Sequence, residues 1–146
     1  PTIALFAAVA LVSIFRGSGV NDGGMDSMPL ALAKTLAALT GEAWPALASY
    51  VGGLGAFITG SNTVSDLLFA QFQWDMATQL NFSKQIIVAT QAVGGAMGNM
   101  VCIHNVVAVC AVVGLSGREG MIIKTTFWPF LLYGIIVGAI ACMLVF

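Results

Sequence analysis

The run from Ile86 to Leu115 contains no Asp, Glu, Lys or Arg, yet its centre reads Gly94-Gly95-Ala96-Met97-Gly98-Asn99. As one straight helix, a run of about thirty residues is roughly 45 Å long, against a hydrocarbon core of about 30 Å. Gly94, Gly95, Gly98, Asn99, His104 and Asn105 stand where a lipid-facing helix carries Leu, Ile or Val. The pattern predicts a helix interrupted about Gly94 to Asn99, with half-helices over 84–96 and 100–114 inside a broken unit spanning 84–115. Broken backbone at membrane depth survives only where protein or a water-filled cavity satisfies the freed groups. Secondary carriers build substrate sites from such discontinuous helices.

Composition sets the class. Hydrophobic residues make up 59% of the 146 and charged residues 8%, where a soluble domain carries about 25% charged. The chain is therefore an all-α integral membrane chain; no alternating ten-residue strands suggest a barrel. A net charge of −1 leaves no basic face for nucleic acid. The apolar start, Pro1 to Phe15, has neither an initiator Met nor a basic n-region. It reads as the tail of a helix from a longer polypeptide rather than a signal peptide. Cys102, Cys110 and Cys142 all lie in apolar runs, which argues against a disulfide framework. Cys102 and His104 are too close in sequence for a usual zinc pair, so neither a metal nor another cofactor is expected.

In chain order, residues 3–16 read as a helix end, closed by Arg16 at an interface. The Gly-rich stretch from Gly17 to Met25 is a loop. Pro29 opens a short helix over 29–40, with Leu32, Leu36 and Leu39 on one face; too short to span, it reads as interfacial, or as a connecting helix packed on protein. Residues 43–80 are apolar at both ends and polar at Gly60-Ser61-Asn62-Thr63. Each arm is short for a full span, so a re-entrant helical hairpin with its tip at 60–63 is expected; two full spans joined by an outside loop are the alternative. Ser61, Asn62 and Thr63 are suitable caps for the returning helix. Ser116 to Lys124 reads as an exposed turn, and 126–146 as a conventional transmembrane helix in which Gly134 and Gly138 suit close contact. Arg and Lys are too evenly distributed to set orientation.

If the tip and the break meet, two helix N-termini, near Val64 and Met100, present unpaired N–H groups to one spot. Each acts as roughly half a positive charge, enough to favour a small carboxylate. Ser61, Asn62, Thr63 and Asn99 add neutral donors, and Gly95 lies at the facing break; Gly60, Gly94, Gly98 and Asn105 support them. His104 and Asp66 are the ionisable side chains nearest both centres and so are candidates for carrying a coupled proton. Asp66 reads first as a cap in the first turn of its helix, and His104 alternatively as a structural donor. Asn105, about 100° round the helix from His104, is not expected to address the same ligand equally. Met97, Met100 and Phe69 read as packing, and Gln91 as a polar side chain bonding across helices.

The segments GSNTVSDLLFAQFQ at 60–73, QAVGGAMGNMVCIHNVVAVCAVVGL at 91–115 and GREG at 117–120 resemble the L-lactate permease family, and the likeness extends back to SGVNDGGM at 18–25. The resemblance implies a multi-pass carrier in the inner or plasma membrane of a bacterium or archaeon, moving lactate, glycolate or a similar 2-hydroxy monocarboxylate with H⁺. Ser61-Asn62-Thr63 also resembles the hairpin-tip motif of a wider ion transporter superfamily built from two inverted repeats. By that likeness the chain is one half of an inverted-repeat transporter, its C-terminal repeat. Its partners are then the missing N-terminal repeat, membrane lipid and a second copy of the chain.

Three other functions compete with the carrier. A channel would use the hairpin as a filter. An intramembrane enzyme would use His104 with Cys102 or Ser61, but no carboxylate is placed to orient the imidazole and no nucleophile motif is present, so no enzyme is expected. A structural subunit leaves the two polar breaks unexplained.

Overall fold

The computed structural model describes residues 10, 13–14, 17–20 and 23–146. The helix end expected over 3–16 lies almost wholly outside them. Six α-helices follow, and no strand occurs among the described residues: α1 Met28–Thr40, α2 Trp44–Thr59, α3 Asn62–Gln79, α4 Lys84–Gly98, α5 Ile103–Val112 and α6 Glu119–Val145. A 3-10 turn, Gly41–Ala43, joins α1 to α2.

The helix boundaries follow local chemistry. Pro29 and Pro45 sit in the first turns of α1 and α2, where a missing N–H costs nothing. Gly60 ends α2 in the left-handed region at φ 73°, a conformation glycine adopts without strain. Ser61 then caps α3, its hydroxyl accepting from the Val64 N–H at 3.3 Å. A two-residue turn thus reverses the chain. The pairings Ser65 to Gly52 and Gln73 to Ala48 show that α2 and α3 run antiparallel. They form a helical hairpin.

Two units are long and apolar enough to cross a membrane, Lys84–Val112 and Glu119–Val145. The first is the broken pair α4 and α5. Its interruption is real but sits later than the glycines suggest: α4 continues to Gly98, and Asn99 to Cys102 form the break. Gly94 and Gly95 are helical, and their missing Cβ atoms serve packing instead. A Cβ on Gly94 would overlap the Ser49 carbonyl, and one on Gly98 the Gly53 carbonyl. One on Gly52 would lie 2.8 Å from the Gly95 nitrogen. Backbone therefore lies against backbone where α2 and α4 run side by side in parallel, an arrangement only small residues permit. The antiparallel α6 also packs on α2 and brings Gly134 against Tyr50 and Gly138 against Ala46, as the Gly134/Gly138 spacing suggests.

One further boundary differs from expectation, and one open alternative is decided. Helix α6 begins at Glu119 rather than 126, so Met121 to Lys124 are helical; the Glu119 carboxylate accepts from the Gly117 N–H at 2.9 Å and closes the preceding turn. Helix α1 packs on protein: Ala33 is buried in a cluster with Trp44, Ala48, Phe72, Met76, Ala77 and Ile87. Leu32 and Leu39 on α1 remain exposed.

Candidate functional site

The hairpin tip and the helix break meet. The Asn105 side-chain amide donates to the Gly60 carbonyl at 3.3 Å and to Asn99 Oδ1 at 3.2 Å. One residue of α5 thereby ties the tip of the hairpin to the end of α4. The His104 ring also lies against Gly60: a Cβ there would stand 3.0 Å from Nε2 and 3.3 Å from Cys102 Sγ. His104 and Asn105 thus both reach one residue despite pointing to different sides of α5. The reason is that Gly60 has no side chain, so the tip fits between them.

The helix N-termini fall at Asn62 and Ile103, displaced from the expected Val64 and Met100. Cys102 precedes α5 in extended backbone and offers no side-chain cap. The first-turn N–H groups of α5 precede the first intrahelical acceptor and so remain available. A cavity of about 170 Å³ opens beside them, lined by Asn99, Met100, Asn105, Val106, Val109 and Ile122. A liquid water occupies about 30 Å³, so the cavity has room for a small organic anion. A larger groove of about 510 Å³ borders the break at Val101, but its other walls, including Leu54, Phe57 and Phe127, are apolar or aromatic. It has no set of donors for a carboxylate.

The remaining candidate residues divide by position. Ser61 is half-buried and occupied as the cap of α3, while Thr63 is exposed. The Asn62 side chain lies against Gly95, where a Cβ would overlap Oδ1. Asn62 Oδ1 and Asp66 Oδ1 are buried without hydrogen-bond partners. Asp66 stands beyond the first turn of α3, so it is not the cap expected of it; Ser61 takes that role. Asn99 closes α4 and accepts from Asn105, and Gly94 and Gly98 are buried against α2.

A buried polar network behind the tip holds the hairpin on α4. Gln73 Nε2 donates to the Ala48 carbonyl and to Gln91 Oε1, both at 3.0 Å, and Gln73 Oε1 accepts from Trp44 Nε1 at 3.0 Å. Gln91 Nε2 donates to Ser65 Oγ at 3.2 Å, and that hydroxyl donates to the Gly52 carbonyl at 2.7 Å. Gln91 therefore bonds across helices, as expected. Gln73, Ser65 and Trp44 escape a reading of the sequence centred on the two breaks, although a Gln inside a helical hairpin is itself a sign of a buried partner.

Across residues 1–146 the chain matches the family model described as L-lactate permease. The chain belongs to the L-lactate permease family. Over 99% of its length it is 43% identical to a Haemophilus influenzae protein provisionally named an L-lactate permease, of which it covers 26%. Over 97% of its length it is 34% identical to the L-lactate permease of Escherichia coli K12 and 32% identical to the glycolate permease GlcA of the same strain, covering 24% and 23% of them. This permease segment thus spans about a quarter of the length of the relatives it matches. No solved structure matches it. Family and helices together fit a membrane protein that is all-helical among the described residues. Its relatives are permeases rather than enzymes.

Proposed function

We propose that this chain supplies part of the substrate site of a carrier that moves lactate or a related 2-hydroxy monocarboxylate across the inner membrane together with protons. The observation that carries the reading is the junction at Gly60, where the hairpin tip meets His104 and Asn105 at the break. The names of the relatives, L-lactate permease and glycolate permease, supply the substrate class.

In this reading α2 and α3 enter and leave the membrane on one side. Their 16 and 18 residues make helices of about 24 and 27 Å, short of a bilayer core of about 30 Å. The N-termini of α3 and α5 hold the substrate carboxylate through backbone N–H groups and the helix dipoles. Ser61, Asn62, Thr63 and Asn99 add neutral donors, and Gly95 gives the Asn62 amide its room. No Lys or Arg is required, so the anion is held weakly enough to leave. His104 and Asp66 are the ionisable side chains from which the proton is carried. The rest of the permease supplies the facing half of the site from an inverted repeat. Multiple passes and a dimeric assembly complete the picture. The pore alternative draws no support from relatives named as permeases.

The test is uptake of labelled lactate by the full-length permease carrying this segment, in membrane vesicles. Saturable uptake that rises with an inside-alkaline pH gradient is expected. Asn62→Ala and Asn99→Ala should each raise KM by about tenfold, the loss of roughly one charge-assisted hydrogen bond. Undiminished uptake in both variants overturns the site. Flux that never saturates, with unitary conductance steps, would make the protein a pore.

A further inference from the structure

We infer that Asn62 and Asp66 together form the seat of the coupled proton, an inference that rests on the carrier reading above. Among the described residues, Asn62 Oδ1 and Asp66 Oδ1 are the two buried side-chain nitrogen or oxygen atoms without a hydrogen-bond partner. An acceptor shut off from water without a donor is costly, and such atoms in a native fold call for an explanation. Here the two occur together. They are four positions apart on α3, so their side chains share one face. Helical side chains lean toward the N-terminus, which carries Asp66 back over the turn that Asn62 begins.

Both atoms are acceptors, so a substrate carboxylate cannot satisfy them, and an ionised Asp66 would repel it. One proton meets the need of both. It comes from water, bonds to a lone pair of Asp66 Oδ1, and the new O–H donates to Asn62 Oδ1. Release reverses the step and returns the proton to water; no other bond changes. With Asp66 neutral, a carboxylate can approach the N-terminus of α3 one turn away. Proton and anion therefore bind together and leave together.

The neighbouring charges do not offer a competing partner. On α1, Lys34 is paired with Asp26. On α2, the Tyr50 hydroxyl donates to the Leu131 carbonyl. On α4, Lys84 lies over the Trp74 ring, and the uncharged Gln91 side chain donates toward the Asp66 carboxyl group, whose Oδ1 is left without a partner. On α3 itself, Asp75 accepts from Gln71. His104 and Cys102 stand at Gly60, before the first turn of α3. His104 is exposed, whereas Asn62 Oδ1 and Asp66 Oδ1 are buried. Gly95 completes the seat, because any side chain there would displace the Asn62 oxygen.

The experiment compares two modes of the reconstituted full-length permease: lactate accumulation driven by a pH gradient, and exchange of labelled for unlabelled lactate at equal pH. Asp66→Asn should abolish accumulation while exchange persists. Asp66→Glu, which keeps a carboxyl, should restore part of the accumulation. His104→Gln should lose less of the pH-gradient response than Asp66→Asn. The proton is also read without transport, as a carboxylic C=O stretch in the infrared pH-difference spectrum that shifts in Asp66→Glu. Wild-type accumulation by Asp66→Asn overturns the inference. So does accumulation by the wild type that follows a Na⁺ gradient at fixed pH, or the absence of the infrared band. If the wild type moves no lactate but shows the band, the carrier reading fails and the proton seat stands.

Discussion

Asn105 donates to the backbone carbonyl of Gly60 at 3.3 Å across 45 positions of chain. The contact joins two polar interruptions that lie in different helical units. It also leaves the second amide hydrogen bond for Asn99, so tip and break are held at one fixed separation.

Replacing Asn105 should therefore release the tip. Asn105→Ala removes two hydrogen bonds and should destabilise the permease by about 1–2 kcal/mol. The loss of lactate uptake should exceed what the loss of folded protein explains. Thermal unfolding of the purified protein beside uptake per folded molecule reads both. Unchanged uptake at unchanged stability would show that the junction is incidental.

The glycines at the α2–α4 contact are expected to tolerate no methyl group. Gly94→Ala and Gly98→Ala each drive a Cβ into a backbone carbonyl of α2. Backbone cannot move aside as a side chain can, so each should cost about 1–3 kcal/mol or more. Gly120→Ala is the control, since a Cβ at Gly120 on α6 meets no atom within 4 Å. There the substitution should be neutral or stabilising by up to about 1 kcal/mol. Denaturation midpoints in mild detergent distinguish the two cases.

Gln73 and Gln91 should behave as a unit. Gln73→Leu strands the Trp44 N–H and Gln91 Oε1, and Gln91→Leu takes one acceptor from Gln73 Nε2, which keeps the Ala48 carbonyl, and one donor from the Ser65 hydroxyl, which keeps Gly52. Each buried orphan costs about 1–3 kcal/mol. The double variant should be less destabilised than the sum of the singles, because the second change removes groups already without partners. Strict additivity in unfolding measurements would show that the network is not shared.

Gly95→Ala should impair function more than stability. Its Cβ collides with the Asn62 side-chain oxygen, which is free to swing away. Displacing that amide should raise the KM for lactate, while the loss of folding stays smaller, because the next atom that Cβ meets is Ser65 Oγ at an ordinary 3.5 Å. Kinetics of uptake over a range of lactate concentration read the split. An unchanged KM would remove Asn62 from the substrate site.

The membrane class, the two polar interruptions and the capping of α3 by Ser61 were legible in the residues, because each rests on local chemistry. An uncharged run, a short polar insertion and a serine before a helical stretch carry the same meaning in any fold. The helix of 28–40, whether interfacial or packed on protein, could be read either way, since its apolar face suits lipid and Ala33 suits a core.

Only the tertiary structure decided what the glycines do. A missing Cβ permits unwinding and permits close approach, and the sequence carries no information to choose between them. At Gly60 the chain turns through a left-handed φ; at Gly94 and Gly95 it stays helical, and the gap takes the Ser49 backbone at Gly94 and the Asn62 side chain at Gly95. Which neighbour that is depends on α2 running parallel to α4, a long-range fact. The same holds for the meeting of Gly60 with His104 and Asn105: the chain by itself specifies two polar centres within apolar surroundings, and the packing of glycine against backbone brings them to one place.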